Sequence, residues 1–274
     1  MESKVISIYC FVDDILKELK HPEDVRRRVN DAEVITTAIV SAMYFYGHQH
    51  RAIAYMKSSR LIPQMLDKSR FTRRIHQIAH LLYELFGTIA KWIKEICCEM
   101  RYIIDSFPVA ICDNMRIQRC KLATGKKWRG YTASMHRYFY GVKVQLLVTE
   151  KGVPIQFHFI PGKTADVKGL EKMLQQLHPE AEVYADSAYT DYSIEDKLKD
   201  EKGISLKVQR KHNSKRPDTK AQTQQKLKMR KRVETTISDI KKLFPRTIHA
   251  VTFRGFLLKL ICFICVEQFN HFIN

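Results

Sequence analysis

The apolar positions change period near residue 98. Before it they recur every three or four residues, the spacing of a buried helix face. Residues 2–20 put Ile8, Phe11, Val12, Ile15, Leu16 and Leu19 on one stripe, stopped by His21-Pro22. A second helix is expected from Asp31 as N-cap, through Val34, Ile35, Ala38, Ile39 and Met43, to Gly47. A third covers 50–58, and Ser69 caps a fourth with Phe71, Ile75, Ile78 and Leu82 inward. A fifth, over 88–98, buries Ile89, Trp92, Ile93 and Ile96.

Beyond residue 98 alternation takes over. Residues 101–104 read as a short strand ending at Asp105, with Pro108 just after it. Over 141–160, Val142, Val144, Leu146 and Val148 alternate, Glu150-Lys151-Gly152 turns, and Val153, Ile155, Phe157 and Phe159 alternate back. Asp166 is expected to cap a helix carrying Val167, Leu170, Leu174 and Leu177 up to Pro179. A strand over 183–185 ends at Asp186, a helix over 192–201 ends at Gly203, and Ile204, Leu206 and Val208 make a last strand. The helix over 227–244 has Val233, Ile237, Ile240 and Phe244 as its buried stripe. The tail after it (Phe256, Leu257, Leu260, Ile261, Ile264, Phe269) is apolar nearly all round and is expected to pack on the sheet. The pattern predicts an all-helical domain, 1–98, before an α/β domain, 99–274, with a mixed sheet and flanking helices.

Charge narrows the partner. The 274 residues carry 47 Lys+Arg against 29 Asp+Glu, a net +18 that points to an extended polyanion, nucleic acid above all. No apolar run reaches the ~18–20 residues of a membrane span, and residues 1–10 lack a secretion-signal pattern, so a cytosolic chain is expected. Seven cysteines in such a chain imply reduced thiols. Cys262 and Cys265 form one CxxC without a second pair, and His48 and His50 have no further ligand nearby, so neither pair is read as a metal site.

Three stretches are too basic for ordinary connections. The fourth helix opens with Arg70, Arg73 and Arg74 near Lys68 and Arg60, against Asp67 alone, and resembles a major-groove reader. Residues 113–138 interleave basic and aromatic side chains, with Lys126, Lys127, Trp128 and Arg129 expected at DNA. Residues 209–226 hold Lys211, Lys215 and Arg216, and are expected to be mobile alone and ordered on DNA.

The candidate chemistry lies in three acids. Asp105 and Asp186 each follow an apolar strand and precede a serine. Alternation puts them on the faces of Ile103 and Tyr184, where a covering helix could bring Glu234. Helical spacing sets Arg230 and Lys241 on the Glu234 stripe. Three clustered carboxylates repel, and a pair of divalent ions ~3.5–4 Å apart relieves the repulsion. An all-oxygen set suits Mg²⁺ or Mn²⁺ rather than Zn²⁺. Among rival acids, Asp239 points away from Glu234 on the helix, and Asp113 and Asp191 are read as turn residues.

With 80 and 47 residues between them, Asp105, Asp186 and Glu234 resemble the DDE triad of transposases on a ribonuclease H-like fold. The last helix is similar to the Tyr-(2)-Arg-(3)-Glu-(6)-Lys signature of bacterial insertion-sequence transposases. Arg230, Glu234 and Lys241 are in register with it, and Leu227 stands at the tyrosine position. With Gly162-Lys163-Thr164-Ala165-Asp166 after the hairpin, the whole chain looks like the nine-eight-two group. The resemblance implies two Mg²⁺ held by the triad, with Asp105 bridging both. It implies hydrolysis at the element's ends, then attack of the freed 3′-OH on target DNA. Arg230 and Lys241 are implied as phosphate contacts. Double-stranded DNA (terminal inverted repeats and target), a homodimer on that DNA and a bacterial cytoplasm are implied likewise. A nuclease of the same fold without strand transfer, and an inactive DNA-binding relative, are the alternatives.

Overall fold

The computed structural model describes residues 1–97, 99–133 and 136–272. Its helices are α1 (Glu2–Glu18), α2 (Asp31–Phe45), α3 (Gln49–Ser58), α4 (Lys68–Gln77), α5 (Ala79–Cys97), α6 (Leu170–Leu174), α7 (Tyr192–Lys202), α8 (Lys220–Lys242) and α9 (Phe253–Asn270). Its strands are β1 (Arg101–Cys112), β2 (Arg129–Thr132), β3 (Arg137–Thr149), β4 (Pro154–Pro161), β5 (Glu182–Ala185) and β6 (Ser205–Val208). Contacts gather these into two compact units, Met1–Ile89 with Asp239–Asn274, and Ala90–Ser238. Among the described residues no helix is long and apolar enough to cross a membrane.

The first unit is helical. α1 buries Val5, Ile8, Val12 and Ile15, the face its periodicity foretells. α2 is buried almost all round from Asp31 to Ala42, so it needs apolar neighbours on several sides. α9 is one of them: it packs on α2, and Phe269 meets Phe11 edge-on at 5.5 Å. The tail therefore belongs to the helical core of the first unit, where its composition suggested a place against the sheet. Cys262 and Cys265 lie wholly inside this core, where burial pushes the Cys262 thiol up to about 12.

Two caps sit one and two residues earlier than expected. Asn30, not Asp31, caps α2 through a reciprocal box: its Oδ1 accepts the Glu33 N–H at 2.7 Å, and Glu33 Oε2 accepts the Asn30 N–H at 2.8 Å. Asp67, not Ser69, caps α4. The fourth helix breaks at Ile78, and α5 runs unbroken from Ala79, so the fifth helix starts nine residues earlier than the predicted 88. Ile89 and Ile93 are buried, whereas Ile96 is exposed. The predicted end of that helix at residue 98 lies outside the described residues.

The second unit is built on a mixed sheet in the order β4-β3-β1-β5-β6, with β2 pairing the first residues of β3. β3 is antiparallel to β1 and β4, while β1, β5 and β6 run parallel. The result is a mixed sheet with helices flanking it, the α/β arrangement that the pattern predicts. The hairpin is as predicted, with Gly152 in the left-handed region at φ +89°. β1, by contrast, does not stop at Asp105. It runs on to Cys112, because past Ile104 it pairs with β3 alone, and the free edge tolerates Pro108, which lacks an N–H. Gly141 admits this long pairing: a Cβ there would fall 2.0 Å from the Val109 carbonyl oxygen.

Freed from capping, Asp31 becomes a buried anchor. Its carboxylate accepts from Arg74 Nε at 2.7 Å, His21 Nε2 at 2.9 Å and Arg27 Nη1 at 3.3 Å, tying α2 to α4. Truncating it leaves the half-buried Arg74 guanidinium without its main partner. Asp31→Ala is expected to cost about 3–5 kcal/mol of stability, read as a lower urea midpoint.

Candidate active site

β1 and β5 set the first two acids side by side. Their parallel register opposes Ile103 to Tyr184 and Ile104 to Ala185, so Asp105 and Asp186 continue the same face one pleat further on. Each carboxylate accepts the N–H of the serine after it, Ser106 at 2.7 Å and Ser187 at 2.6 Å. The serines turn the two groups alike at the end of the short β5.

α8 covers that face and is fixed at two levels. Near its start, Gln225 Nε2 donates to the Tyr184 hydroxyl at 2.7 Å, and Lys226 Nζ donates to the Val208 carbonyl at 2.8 Å. A few turns on, Thr236 Oγ1 donates to the Gly152 carbonyl at 2.8 Å. Met229 and Val233 are buried between these anchors, and Ile237 just past the second. Arg230 and Glu234 are thereby held over the aspartates. Arg230 Nε donates to Glu234 at 2.8 Å, and its Nη1 lies 3.5 Å from Asp186. One guanidinium thus bridges two of the three acids. Lys241 lies further along α8, exposed, in the helical unit.

The third acid feels the others. Burial, then the Asp186 and Glu234 charges, push the Asp105 carboxyl up to about 6, while the Ser106 N–H and Arg230 pull it down. A crevice of about 10 Å³, room for about one water, lies among Asp105, Asp186, Gln209, Lys226 and Arg230. The donors are carboxylate oxygens, the set a hard divalent cation takes. Among the described residues, however, no three such side chains close on one point, since Arg230 stands between Asp186 and Glu234. The donor chemistry fits a divalent ion, and the guanidinium holds the positive charge meanwhile.

A second polar cluster escaped the sequence reading. Asp166 caps nothing: it opens a short 3₁₀ turn ahead of α6. Its carboxylate instead accepts from the Ser106 hydroxyl at 2.8 Å and from Lys143 Nζ at 3.0 Å. Gln145, wholly buried, donates to the Asp166 carbonyl. Ser106 and Gln145 oppose each other across β1 and β3, on the face away from Asp105. The Gly-Lys-Thr-Ala-Asp phrase marked this place, but only the pairing of β1 with β3 reveals its partners.

The basic stretches divide. Arg70 and Arg73 are exposed on α4, whereas Arg74 is committed to Asp31 and is withdrawn from any DNA-facing set. Residues 113–138 are not one loop: 3₁₀ turns span Asn114–Arg119 and Lys126–Trp128, and β2 follows. Lys126, Lys127 and Arg129 are exposed there; Trp128 is half-buried, its indole N–H donating to the Thr124 carbonyl at 3.1 Å. Residues 209–219 are pinned to α7 rather than free. Arg210 forms a bidentate pair with Glu195, Arg216 another with Asp196 at 2.8 Å, and both cations stack on Tyr192. Lys211 and Lys215 remain exposed, and from Lys220 onward the stretch is already α8. Asp191 is not merely a turn residue but the cap of α7.

The chain belongs to the transposase DDE domain family, which matches residues 96–250. A comparison with curated proteins finds no relative of matching sequence. Among solved structures, the cryo-EM structure of the piggyBac transposase synaptic complex with hairpin DNA is similar, with a TM-score of 0.49 and 11% identity. The match covers 97% of this chain and 71% of that one.

The raised Asp105 pKa has a sign. Its folded value lies above the ordinary 3.8, so its contribution to stability is complete below about pH 4 and lost as pH rises through about 6. In metal-free buffer Asp105→Asn is expected to stabilise the protein near neutral pH by about 1–3 kcal/mol. The gain should vanish toward about pH 4, as melting curves across that range would report.

Proposed function

We propose that this protein is the transposase of a bacterial insertion sequence of the nine-eight-two group. It cuts at the element's terminal inverted repeats and joins the freed 3′-OH to target DNA. The observation that carries the reading is Arg230 bridging Asp186 and Glu234 beside the buried Asp105, within one unit of a chain of the DDE family.

Asp105, Asp186 and Glu234 are the residues that would hold divalent ions, Mg²⁺ with Mn²⁺ as substitute. When bound, such ions supply activation of the attacking oxygen and stabilisation of the leaving one. The chain's own part is positional. The serine N–H groups aim the two aspartates, and the α8 anchors keep Glu234 over them. Arg230 presents its guanidinium to a DNA phosphate, for which its fork of donors is suited. Lys241 is assigned to the backbone too. Arg70 and Arg73 on α4, with Lys126, Lys127, Trp128, Arg129, Lys211 and Lys215, carry the remaining contacts to double-stranded DNA. Two ends must be joined, so a homodimer on DNA is the working assembly, acting in the bacterial cytoplasm on the nucleoid.

A pre-cut terminal-repeat oligonucleotide incubated with plasmid and Mg²⁺ tests the chemistry. Strand-transfer products are expected, and Asp105→Ala, Asp186→Ala or Glu234→Ala should each reduce them about 10³-fold or more. Hydrolysis without joining would replace the transposase with a nuclease; activity untouched by all three variants would overturn the site.

Phosphate contacts are read by salt. Replacing Arg70 and Arg73 together by Gln should flatten the log–log dependence of DNA affinity on salt by about 2, at ~0.9 per contact. Replacing Arg74 should act on stability first, through Asp31.

A further inference from the structure

Past Asp105, β1 and β3 continue beyond the end of β5, and β2 joins them there. A cleft of about 630 Å³ opens on this extension, with Arg129, Tyr131, Tyr138, Phe139, Lys143 and Lys163 among its walls. Its floor is tight. A Cβ on Gly130 would fall 2.4 Å from the Phe139 ring and 2.7 Å from the Gly162 carbonyl oxygen, so backbone and ring already touch there. Tyr131 and Tyr138 face each other across the β2–β3 register with ring centroids 4.8 Å apart, and both are exposed. At the rim, Arg129 and Lys163 are exposed and take no carboxylate partner among the described residues.

Exposed ring faces beside uncompensated cations, over a rigid floor, suit a ligand that is flat and anionic. The volume is within the ~300–1,000 Å³ of sites for small molecules, far below what a duplex occupies. In a duplex the base faces are stacked away, and a protein ring reaches one only when the nucleotide leaves the stack. We propose that this cleft takes a single unpaired nucleotide of the DNA substrate. The base lies against Tyr131 and Tyr138, and the phosphate lies on Arg129 and Lys163. The inference rests on the transposase reading and adds to it a distorted, rather than fully paired, DNA substrate. The cleft and the acids are also joined: Lys143 lines the cleft, pairs with Asp166, and Asp166 takes the hydroxyl of Ser106, the neighbour of Asp105.

The test uses the full chain and two duplexes of one sequence, with 2-aminopurine either in a one-nucleotide bulge or fully paired. The bulged duplex should bind about tenfold more tightly, with its fluorescence quenched by the rings. Tyr131→Leu with Tyr138→Leu should abolish the quench and bring the bulged duplex down to the affinity of the paired one. Lys163→Gln should weaken the bulged duplex yet keep the quench at saturation. Equal binding of both duplexes by the unaltered protein, or a quench that survives loss of both tyrosines, overturns the cleft alone. Binding of neither duplex overturns the DNA reading with it.

Discussion

Two like charges on neighbouring strands are the constraint around which the sheet-bearing unit is arranged. Parallel pairing of β1 with β5 leaves Asp105 and Asp186 adjacent, and burial raises the cost of ionising Asp105. A cation has to stand near them. Arg230 does so, and because it also grips Glu234 it draws the third carboxylate into the same neighbourhood. The guanidinium therefore has two uses in the proposed reaction, as counter-charge to the acids and as a phosphate ligand.

Position follows from the sheet. The parallel core of the sheet ends where the acids begin, which is where open α/β sheets gather their ligands. The face opposite Asp105 is equally structured. There Ser106, Asp166, Lys143 and Gln145 form a polar layer under β1, so the strand carrying Asp105 is supported from both sides. A strand held that way has little freedom to move its carboxylate.

What the sequence made legible was whatever depends on local period. Asp186 at the end of β5, the hairpin with its Gly152 turn, and the stripe of α8 that sets Arg230 and Glu234 together all follow from local spacing. What it hid depends on partners far along the chain. Arg74 looks like an exposed base until Asp31 arrives from α2. Residues 209–219 look unstructured because their anchors, Glu195, Asp196 and Tyr192, lie on α7. The apolar tail carries no mark of which surface it covers, and α2 claims it. β2 is four residues long, with two of them glycine and threonine, too short for alternation to show.

The bond from Thr236 to the Gly152 carbonyl has a consequence for how such chains can change length. Glu234 lies two residues before that bond and eight after the Lys226 anchor. One residue added between the anchors would rotate the carboxylate by about 100° away from the aspartates. The 210–219 segment, held by side-chain pairs on the surface of α7, can absorb additions without turning α8. Length variation in proteins built this way belongs upstream of the helix, while spacing inside it is frozen by geometry.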